Sequence, residues 1–392
     1  MPDLRFAAAL STQAEASRAV AETCEAALAE LGGTPDLAFA FVSHHHGPDF
    51  APLAAALCDA LGTKALLGCT GESIVGGDRE VENQPALSLW LARLPGASLS
   101  PMHLAFERAP EGGAIVGWPS GLAEPWPDGA ALIVLGEPFS FPADLLLERM
   151  NEDRPGVPVL GGMASGGWSP GQNRLLFGRR EFNDGAVAVL LSGVRVRSVV
   201  SQGCRPIGRH YVITKSQRNV IQELSGQPPL AQLQALLPEL TAEERQQMQS
   251  GLHVGRVVNE YQGQFERGDF LVRNVVGADP ESGAIALGDY VRTGQTVQFH
   301  LRDAESADED LRTLLRAARE AGGGTAGGLL FTYNGRGTRL FERPDHDARA
   351  VRQELGPLPL AGFFAQGELG PIAGRNALHG FTASLALIDG AS

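Results

Sequence analysis

The sequence predicts an α/β (α+β) protein of mixed β-sheets with outer helices, built from repeated β-α-β-β units in two related halves. Apolar runs of strand length alternate with helical apolar spacing, and antiparallel hairpin signals are interleaved among them. A strand followed by a glycine cluster also occurs three times, as Ala65-Leu-Leu-Gly-Cys-Thr-Gly-Glu-Ser73, Val157-Pro-Val-Leu-Gly-Gly-Met-Ala-Ser-Gly-Gly167 and Leu360-Ala-Gly-Phe-Phe-Ala-Gln-Gly-Glu-Leu-Gly370. This recurrence predicts a binding cleft built by duplication.

A helix and a first repeat open the chain. Thr12 and Glu15 have the spacing of a capping box, apolar residues follow at helical spacing, and Gly32-Gly33 ends this helix. The first repeat then predicts a strand, a helix, a strand into the glycine motif and a returning strand, at 37–42, 50–61, 65–67 and 85–94.

The second and third repeats follow the same order. The second has a strand at 130–135, a helix after Pro142 and its glycine motif at Gly161, after which strands 173–177 and 186–191 read as a hairpin across Asn183-Asp184-Gly185. The third has a strand at 328–332, a helix at 347–355, a strand at 360–364 and one returning strand at 377–388.

Two further helices lie between the second and third repeats. Pro228-Pro229 opens one, and Ser306 with Glu309 forms the predicted capping box of the other, which ends at Gly322. The main boundary is expected near Gly203 to Arg209, which predicts two modules, 1–203 and 204–392.

Composition excludes several classes of partner. The net charge of −13 and the pI near 5.2 oppose binding to nucleic acid and to an anionic membrane surface. The first residues lack the basic start and apolar run of a secretory leader, and no apolar stretch reaches the roughly 20 residues of a membrane span. We therefore expect a cytoplasmic protein. Four cysteines without a Cys-x-x-Cys pair predict no disulfide framework, and only Cys69 is placed for chemistry.

Eight short motifs in order carry a resemblance to a known family. They are Gly68-Cys-Thr-Gly-Glu72, Gly161-Gly-Met-Ala-Ser-Gly166, Gly203-Cys-Arg-Pro-Ile-Gly208, Asn259-Glu-Tyr-Gln-Gly263, Leu301-Arg-Asp303, Asn334-Gly-Arg-Gly337, Gly367-Glu-Leu-Gly-Pro371 and Asn376-x-x-His379. Together they resemble the FIST domain family (F-box and intracellular signal transduction proteins), with a FIST N-terminal module followed by a FIST C-terminal one.

The resemblance implies a sensory module that binds an amino acid or a similar small metabolite. Bacterial relatives commonly carry a signalling output domain after it, and eukaryotic ones an F-box. No such domain follows within this sequence, so we expect signalling through a separate protein partner. Tyr333 stands where relatives often have a cysteine, which puts thiol chemistry at this position in doubt.

The glycine motifs supply the candidate ligand-binding residues. Backbone N–H groups and hydroxyls of such loops can hold a carboxylate, although tight turns that need positive φ explain the glycines equally well. The candidates in the three motifs are Cys69, Thr70, Gly71, Glu72, Ser73, Ser165, Gly166, Gly167, Gly367 and Glu368.

Charged side chains near the third motif complete the predicted site. Arg336 would clamp a carboxylate bidentately and Glu368 would bind an ammonium group, unless the two bond to each other or to solvent. Asn376 and His379 add polar groups, with a structural role as the alternative for His379. Arg302 either joins the site or, with Asp303 as a turn acceptor, braces the following helix.

Other chemistry is less well supported. His44-His45-His46, read as an extended segment near Asp49, offers at most two metal ligands, so neither a metal nor a cofactor is predicted. Pro170 argues against a nucleophile elbow at 167–171, and 322–328 lacks the Lys-Ser/Thr ending of a P-loop.

Two alternatives to a sensor stay open. A hydrolase would use Cys69 or Ser73 with His379 as base, which requires those side chains within hydrogen-bond reach. A protein-interaction scaffold would show an exposed aromatic patch, for which Trp118 and Trp126 are the candidates.

Overall fold

A computed structural model describes residues 4–109, 112–122 and 125–390. Met1–Asp3, part of the N-terminus in which no secretory leader is expected, lie outside the described residues. The predicted mixture of helices with mixed and antiparallel sheets is confirmed. The chain divides into two compact units. Unit 1 comprises Met1–Ser201, Leu311–Pro371 and Asn376–Ser392, and unit 2 comprises Gln202–Asp310 and Ile372–Arg375. The predicted boundary near Gly203 therefore lies where the chain first passes into unit 2, and the chain later returns to unit 1.

Repeat 1 has the predicted strand, helix, strand and returning strand, and a further strand, β1, precedes them and was not predicted. The elements are β1 (Arg5–Ser11), α1 (Ala16–Leu31), β2 (Leu37–Ser43), α2 (Phe50–Leu61), β3 (Leu66–Gly71), β4 (Ile74–Gly76), β5 (Arg79–Val81) and β6 (Leu87–Arg93). The capping box at Thr12 is wrong, because Glu15 is the N-cap residue and no side chain caps the helix. The hairpin β4–β5, between the glycine motif and the returning strand, was not foreseen.

Repeat 2 corrects the predicted hairpin. Its elements are β7 (Ser98–Ala109), β8 (Gly112–Val116), β9 (Ala131–Gly136), α3 (Ala143–Asp153), β10 (Val159–Met163), β11 (Leu175–Phe177), β12 (Arg180–Phe182) and β13 (Ala186–Ser192). β11 pairs with β12 across Gly178, whose φ is 58°, whereas β13 pairs with β7 and β9. The segment Asn183-Asp184-Gly185 thus connects two sheets, and the two-residue turn lies earlier.

Unit 2 is built on a closed barrel. After β14 (Val196–Ser201) come β15 (Cys204–Gln217), β16 (Val220–Leu224), α4 (Pro229–Leu236), α5 (Ala242–Ser250), β17 (His253–Val257), β18 (Phe270–Ala278), β19 (Ile285–Leu287) and β20 (Thr296–Arg302). The barrel order is β15-β16-β19-β18-β17-β20, so every strand has two neighbours.

Repeat 3 follows the barrel. Its elements after β14 are α6 (Ala304–Glu320), β21 (Thr325–Tyr333), α7 (His346–Leu355), β22 (Leu360–Ala365), β23 (Glu368–Ile372), β24 (Arg375–His379) and β25 (Ala383–Asp389). The capping box predicted at Ser306 is wrong. Asp303 Oδ1 accepts from Ser306 N at 2.7 Å, as the turn-acceptor reading predicted. The single returning strand predicted at 377–388 is two strands, which belong to different sheets.

The three sheets of unit 1 share one strand order. They read β1-β6-β2-β3-β11-β12, then β8-β7-β13-β9-β10-β23-β24, then β14-β25-β21-β22-β4-β5. In each, two parallel strands lie between the returning strand of the same repeat and a hairpin of another repeat. The hairpin of repeat 1 joins the sheet of repeat 3, that of repeat 2 the sheet of repeat 1, and that of repeat 3 the sheet of repeat 2. The hairpins are exchanged in a cycle.

Apolar residues from all three sheets form one inner core, which includes Phe41, Ile133, Val189, Phe331 and Phe363. The helices cover the outer faces: α1 and α2 on the first sheet, α3 on the second, and α6 and α7 on the third. Within the described ranges, no helix combines the length and apolarity of a membrane-spanning helix.

The recurring glycines occupy equivalent positions inside strands. Gly68, Gly161 and Gly362 lie in the second parallel strand of each repeat, opposite Ala40, Val134 and Leu330. A Cβ built on each would come within 2.1, 1.8 and 1.8 Å of the carbonyl oxygen of that neighbour. These glycines therefore permit a close approach of two backbones. Each glycine cluster was predicted to follow its strand, but the first glycine of each motif lies inside the strand.

Candidate functional site

The carboxyl ends of β3, β10 and β22 meet around one serine. Ser165 is fully buried; its N–H donates to Thr70 O at 3.1 Å and its hydroxyl donates to Phe364 O. The same Oγ accepts from Glu72 N at 2.8 Å. A residue of repeat 2 thus links the strand ends of repeats 1 and 3. We call this place the strand-end junction and define it by His44, Thr70, Glu72, Ser165, Gly166, Asn334, Arg339, Phe364 and Gln366.

Three equivalent positions of the repeats lie at the strand-end junction. Counting four residues from the strand glycine of each repeat gives Glu72, Ser165 and Gln366, that is, a carboxylate, a hydroxyl and an amide. Gln366 N donates to Met163 O at 3.0 Å, and its side chain is exposed. The equivalent position of the three repeats, just after the end of the second parallel strand, therefore carries a different polar residue in each repeat.

The glycines that follow the strand ends allow the repeats to approach each other. A Cβ on Gly71 would lie 2.9 Å from Phe363 Cβ, and one on Gly166, whose φ is +92°, would lie 2.9 Å from His44 Cβ. A Cβ on Gly367 would lie 2.9 Å from Leu378, and Gly367 O accepts from Met163 N at 2.8 Å. Gly71 and Gly367 are buried, whereas Gly166 is half-exposed. Of the three, only Gly166 has backbone open to a ligand.

An ion pair borders the exposed side of the junction. Arg339 binds Glu72 through Nη2 and donates from Nη1 to Asn334 O at 2.9 Å. The Glu72 side chain is 15% exposed and that of Arg339 53%. The hydrogen bond that Arg339 donates to Glu72 raises the pKa of Arg339. In the described part of the chain, the buried Asn334 Oδ1 has no hydrogen-bond donor. The positive Arg339, the negative Glu72 and the unpaired acceptor Asn334 Oδ1 therefore lie together.

The predicted clamp residue Arg336 has a different partner. It is fully buried, and its Nε and Nη2 donate to the two carboxylate oxygens of Asp347 at 2.7 and 2.8 Å. Thr332 Oγ1 donates to the same carboxylate at 2.6 Å. Burial alone would raise the pKa of Asp347, but Arg336 and the hydrogen bonds from His346 and Arg336 hold it well below its usual range. Arg336 is thus used inside the fold and does not face a ligand.

The other predicted residues of the third repeat are also engaged. Glu368 is fully buried and its Oε2 accepts from Thr382 N at 3.0 Å and Thr382 Oγ1 at 2.8 Å. Asn376 Oδ1 accepts from Val159 N at 2.8 Å, which fixes the start of β10. His379 is 3% exposed, with Nε2 3.0 Å from Gly370 O.

The three residues of the hydrolase alternative, Cys69, Ser73 and His379, are all buried. Cys69 lies fully buried in the apolar core, and burial raises its pKa well above the usual range, which suppresses the thiolate. Ser73 is 6% exposed and its carbonyl accepts from Phe364 N at 2.9 Å. His379 Nε2 lies 3.0 Å from Gly370 O, and His379 is on another sheet from Cys69.

The candidate ligand residue Arg302 lies in β20 of unit 2, opposite Cys204.

The histidine segment is not extended. His44–Asp49 forms a 3-10 helix, in which the rings of His44 and His45 lie 4.1 Å apart and are exposed, while His46 is buried. Burial and the neighbouring His45 lower the pKa of His46. No group of three or more His, Cys, Asp or Glu side chains that could hold a metal occurs among the described residues.

Arg339 was missed by sequence reasoning. It lies three residues after Arg336 in a 3-10 turn (Gly337–Arg339), and both arginines follow the same strand. The available signal was this second arginine in the 334–339 segment, but its proximity to Glu72, 267 residues earlier, exists only in the folded chain.

Comparisons with known proteins agree with the motif order. The sequence matches the FIST N domain over residues 36–227 and the FIST C domain over residues 229–371. An uncharacterized protein of Mycobacterium tuberculosis is 46% identical over 389 residues, covering 98% of this chain and 99% of the relative. An uncharacterized protein of Mycobacterium bovis is 43% identical over 389 residues, covering 98% of each.

Proposed function

The chain belongs to the FIST family, and from this premise we propose that it is a sensory protein that binds an amino acid or similar small metabolite at the strand-end junction. FIST domains occur in signal-transduction sensory proteins. The observation that carries the proposal is the pair of opposite charges, Glu72 and Arg339, beside the open acceptor Asn334 Oδ1.

The chemistry of the pair matches a zwitterion. The Arg339 guanidinium binds the ligand carboxylate through two parallel N–H groups, and Glu72 with Asn334 Oδ1 binds the ammonium group. The Arg339 side chain is 53% exposed, so water can replace its contact with the largely buried Glu72, and ion pairs at the protein surface are worth only about 0–1 kcal/mol. The ligand then replaces one weak bridge with two charged contacts.

The junction also offers a route for a signal. Because Glu72 belongs to repeat 1, Gly166 to repeat 2 and Arg339 to repeat 3, a ligand held here contacts all three repeats. Binding would change how these strand ends pack, and a separate protein partner would read the change. The ligand's backbone-amide contact in this proposal is the half-exposed Gly166.

The test is a thermal-shift and calorimetric screen of amino acids and small carboxylates. A ligand at 100 times its Kd stabilises the folded state by about 2.7 kcal/mol and raises the melting temperature. We expect Arg339→Gln and Glu72→Gln to remove this rise. The matched control is Arg179→Gln, because the Arg179 side chain is 59% exposed, close to the 53% of Arg339, and forms an ion pair with Asp59 in the same unit. The proposal fails if no compound stabilises the protein, or if Arg339→Gln and Arg179→Gln respond alike.

A further inference from the structure

Among its described residues, repeat 2 has no helix at a place where the other two repeats have one. Along the chain, between the first strand of the repeat and the first of its two parallel strands, repeat 1 carries α1 and repeat 3 carries α6. α1 packs beside α2, and α6 packs beside α7 with Arg312 and Arg316 bound to Glu354. In repeat 2 the described residues of the corresponding part form β8 and, at 117–122 and 125–130, neither helix nor strand.

A cavity of about 570 Å³ lies beside α3 on this side of repeat 2. One wall is α3, with Leu145, Leu146 and Met150, and the other is 113–122 together with Trp126. Ligand sites commonly have 300–1,000 Å³ and mostly apolar, aromatic walls with a few placed polar groups. The cavity thus has the size and lining of a small-molecule site.

Two tryptophans give the cavity its aromatic character. The rings of Trp118 and Trp126 lie 6.1 Å apart at 47°, and both are half-buried, not the exposed patch expected of a scaffold. Trp118 Nε1 donates to Ile115 O at 3.2 Å. Trp126 Nε1 is buried and has no acceptor among the residues that the structure describes. An indole N–H can only donate, so it calls for an acceptor atom in the occupant.

The charged lining favours an anion. The charged residues that line the cavity are two arginines, Arg149 and Arg154, and one carboxylate, Asp153. The Arg154 guanidinium lies over Trp126, 5.3 Å from the ring centre, and Nη1 donates to Asp153 O at 2.9 Å. Donors therefore predominate at one side of an apolar cavity, in a protein whose net charge is −13.

We propose that this cavity binds a small apolar carboxylate, either aromatic or acyl, with its hydrocarbon body between α3 and Trp118 and its carboxylate toward Trp126 Nε1 and Arg154. This site is separate from the Glu72–Arg339 pair, and its ligand differs, because it needs apolar volume and one negative group and has no need of an ammonium group.

The test titrates the full chain with 2-naphthoate and octanoate, and with their uncharged counterparts 2-naphthamide and 1-octanol, by tryptophan fluorescence and calorimetry. We expect the acids to bind about tenfold more tightly than the neutral compounds, since hydrogen bonds to a charged group are worth about 1.5–3 kcal/mol. Equal affinity for acid and neutral compound, or no binding of either, overturns the proposal.

Variants locate the binding. Arg154→Gln should lower the affinity for the acids about tenfold and leave the neutral compounds nearly unchanged, and Trp126→Phe should weaken acid binding while retaining an aromatic wall. Arg179→Gln is the control for general loss of positive charge. Arg339→Gln should not affect the acids. If it abolishes their binding, the probes occupy the strand-end junction and the cavity proposal is wrong. If Arg154→Gln folds and binds like Arg179→Gln, the proposal is likewise wrong.

Discussion

At the residue scale, the buried charges of repeat 3 are bound by other residues of the fold. Arg336 and Asp347 form a two-contact ion pair with no exposed side-chain surface. Glu80, on the hairpin that repeat 1 contributes to this sheet, is 5% exposed and accepts from Ala348 N at 2.9 Å near the start of α7. Burial first, and then the nearby Asp347, raise the pKa of Glu80 to about 8. Glu80 is therefore neutral in the folded protein at neutral pH.

This pKa predicts a pH dependence of stability. The unfolded carboxyl has its ordinary pKa of 4.5, so between pH 4.5 and about 8 the folded state binds one proton more than the unfolded state. Glu80 stabilises the fold fully below that window. Its contribution decreases as pH rises, by up to about 1.4 kcal/mol per pH unit, and is lost once pH passes the folded pKa.

The measurement is urea denaturation of the wild type and of Glu80→Gln across this window. We expect the free energy of unfolding of the variant to fall less steeply with pH, because glutamine has no proton to lose and keeps an oxygen for Ala348 N. Parallel pH profiles for the two proteins would contradict the assignment.

At the scale of elements, substituting a strand glycine tests whether the close approach of the two parallel strands requires it. Gly362→Ala places Cβ 1.8 Å from Leu330 O, which requires the paired strands β21 and β22 to separate. Overpacking of this kind costs about 3 kcal/mol or more. Gly380→Ala is the control, because its Cβ meets nothing within 4 Å, and it should change stability by less than about 0.5 kcal/mol. Denaturant unfolding measures both. A Gly362→Ala protein as stable as Gly380→Ala would show that the close strand approach is not required.

Most helices and parallel strands were predictable because local pattern determines them. α2 begins at Phe50 and ends at Leu61 as the apolar spacing predicts, since Gly62 adopts positive φ as its C-cap. The hairpins β4–β5 and β11–β12 were missed or misassigned. Their strands have three residues each, too few for a visible alternation, and their partners lie in other repeats.

The candidate site was predictable to a smaller extent. The glycine motifs pointed to the strand ends and to Glu72 and Ser165, because the repeat is visible in the sequence. The partners of Arg336 and Glu368 could not be predicted, since both arise from burial. Arg336 binds an aspartate on α7, and Glu368 binds Thr382 in the turn before β25. The acidic and basic groups that do meet at the junction are separated by 267 residues.

At the scale of the whole molecule, the exchanged hairpins predict which fragments fold. Residues 1–203, the predicted N-terminal module, contain the hairpin β4–β5 without its partner β22, and β10 without its partner β23. Unpaired strand edges expose backbone groups and apolar surface. We expect this fragment to lack a cooperative thermal transition in calorimetry and to be cleaved rapidly by protease.

Residues 202–310 are the matched fragment. They contain all six strands of the barrel, so no ladder partner is missing, and its apolar core comes from the same segment. We expect a cooperative transition for it. A native-like transition in residues 1–203 would show that the exchanged hairpins are dispensable.

The cyclic exchange of hairpins among the three repeats also has a consequence for symmetry. Three identical short chains, each donating its hairpin to the next, would close into a homotrimer with the same three sheets, so the present polypeptide is equivalent to such a trimer joined end to end. In a true trimer the same residue would be present at all three equivalent positions. In this single chain those positions are Glu72, Ser165 and Gln366, and three independently varying positions can recognise a molecule that has no symmetry of its own.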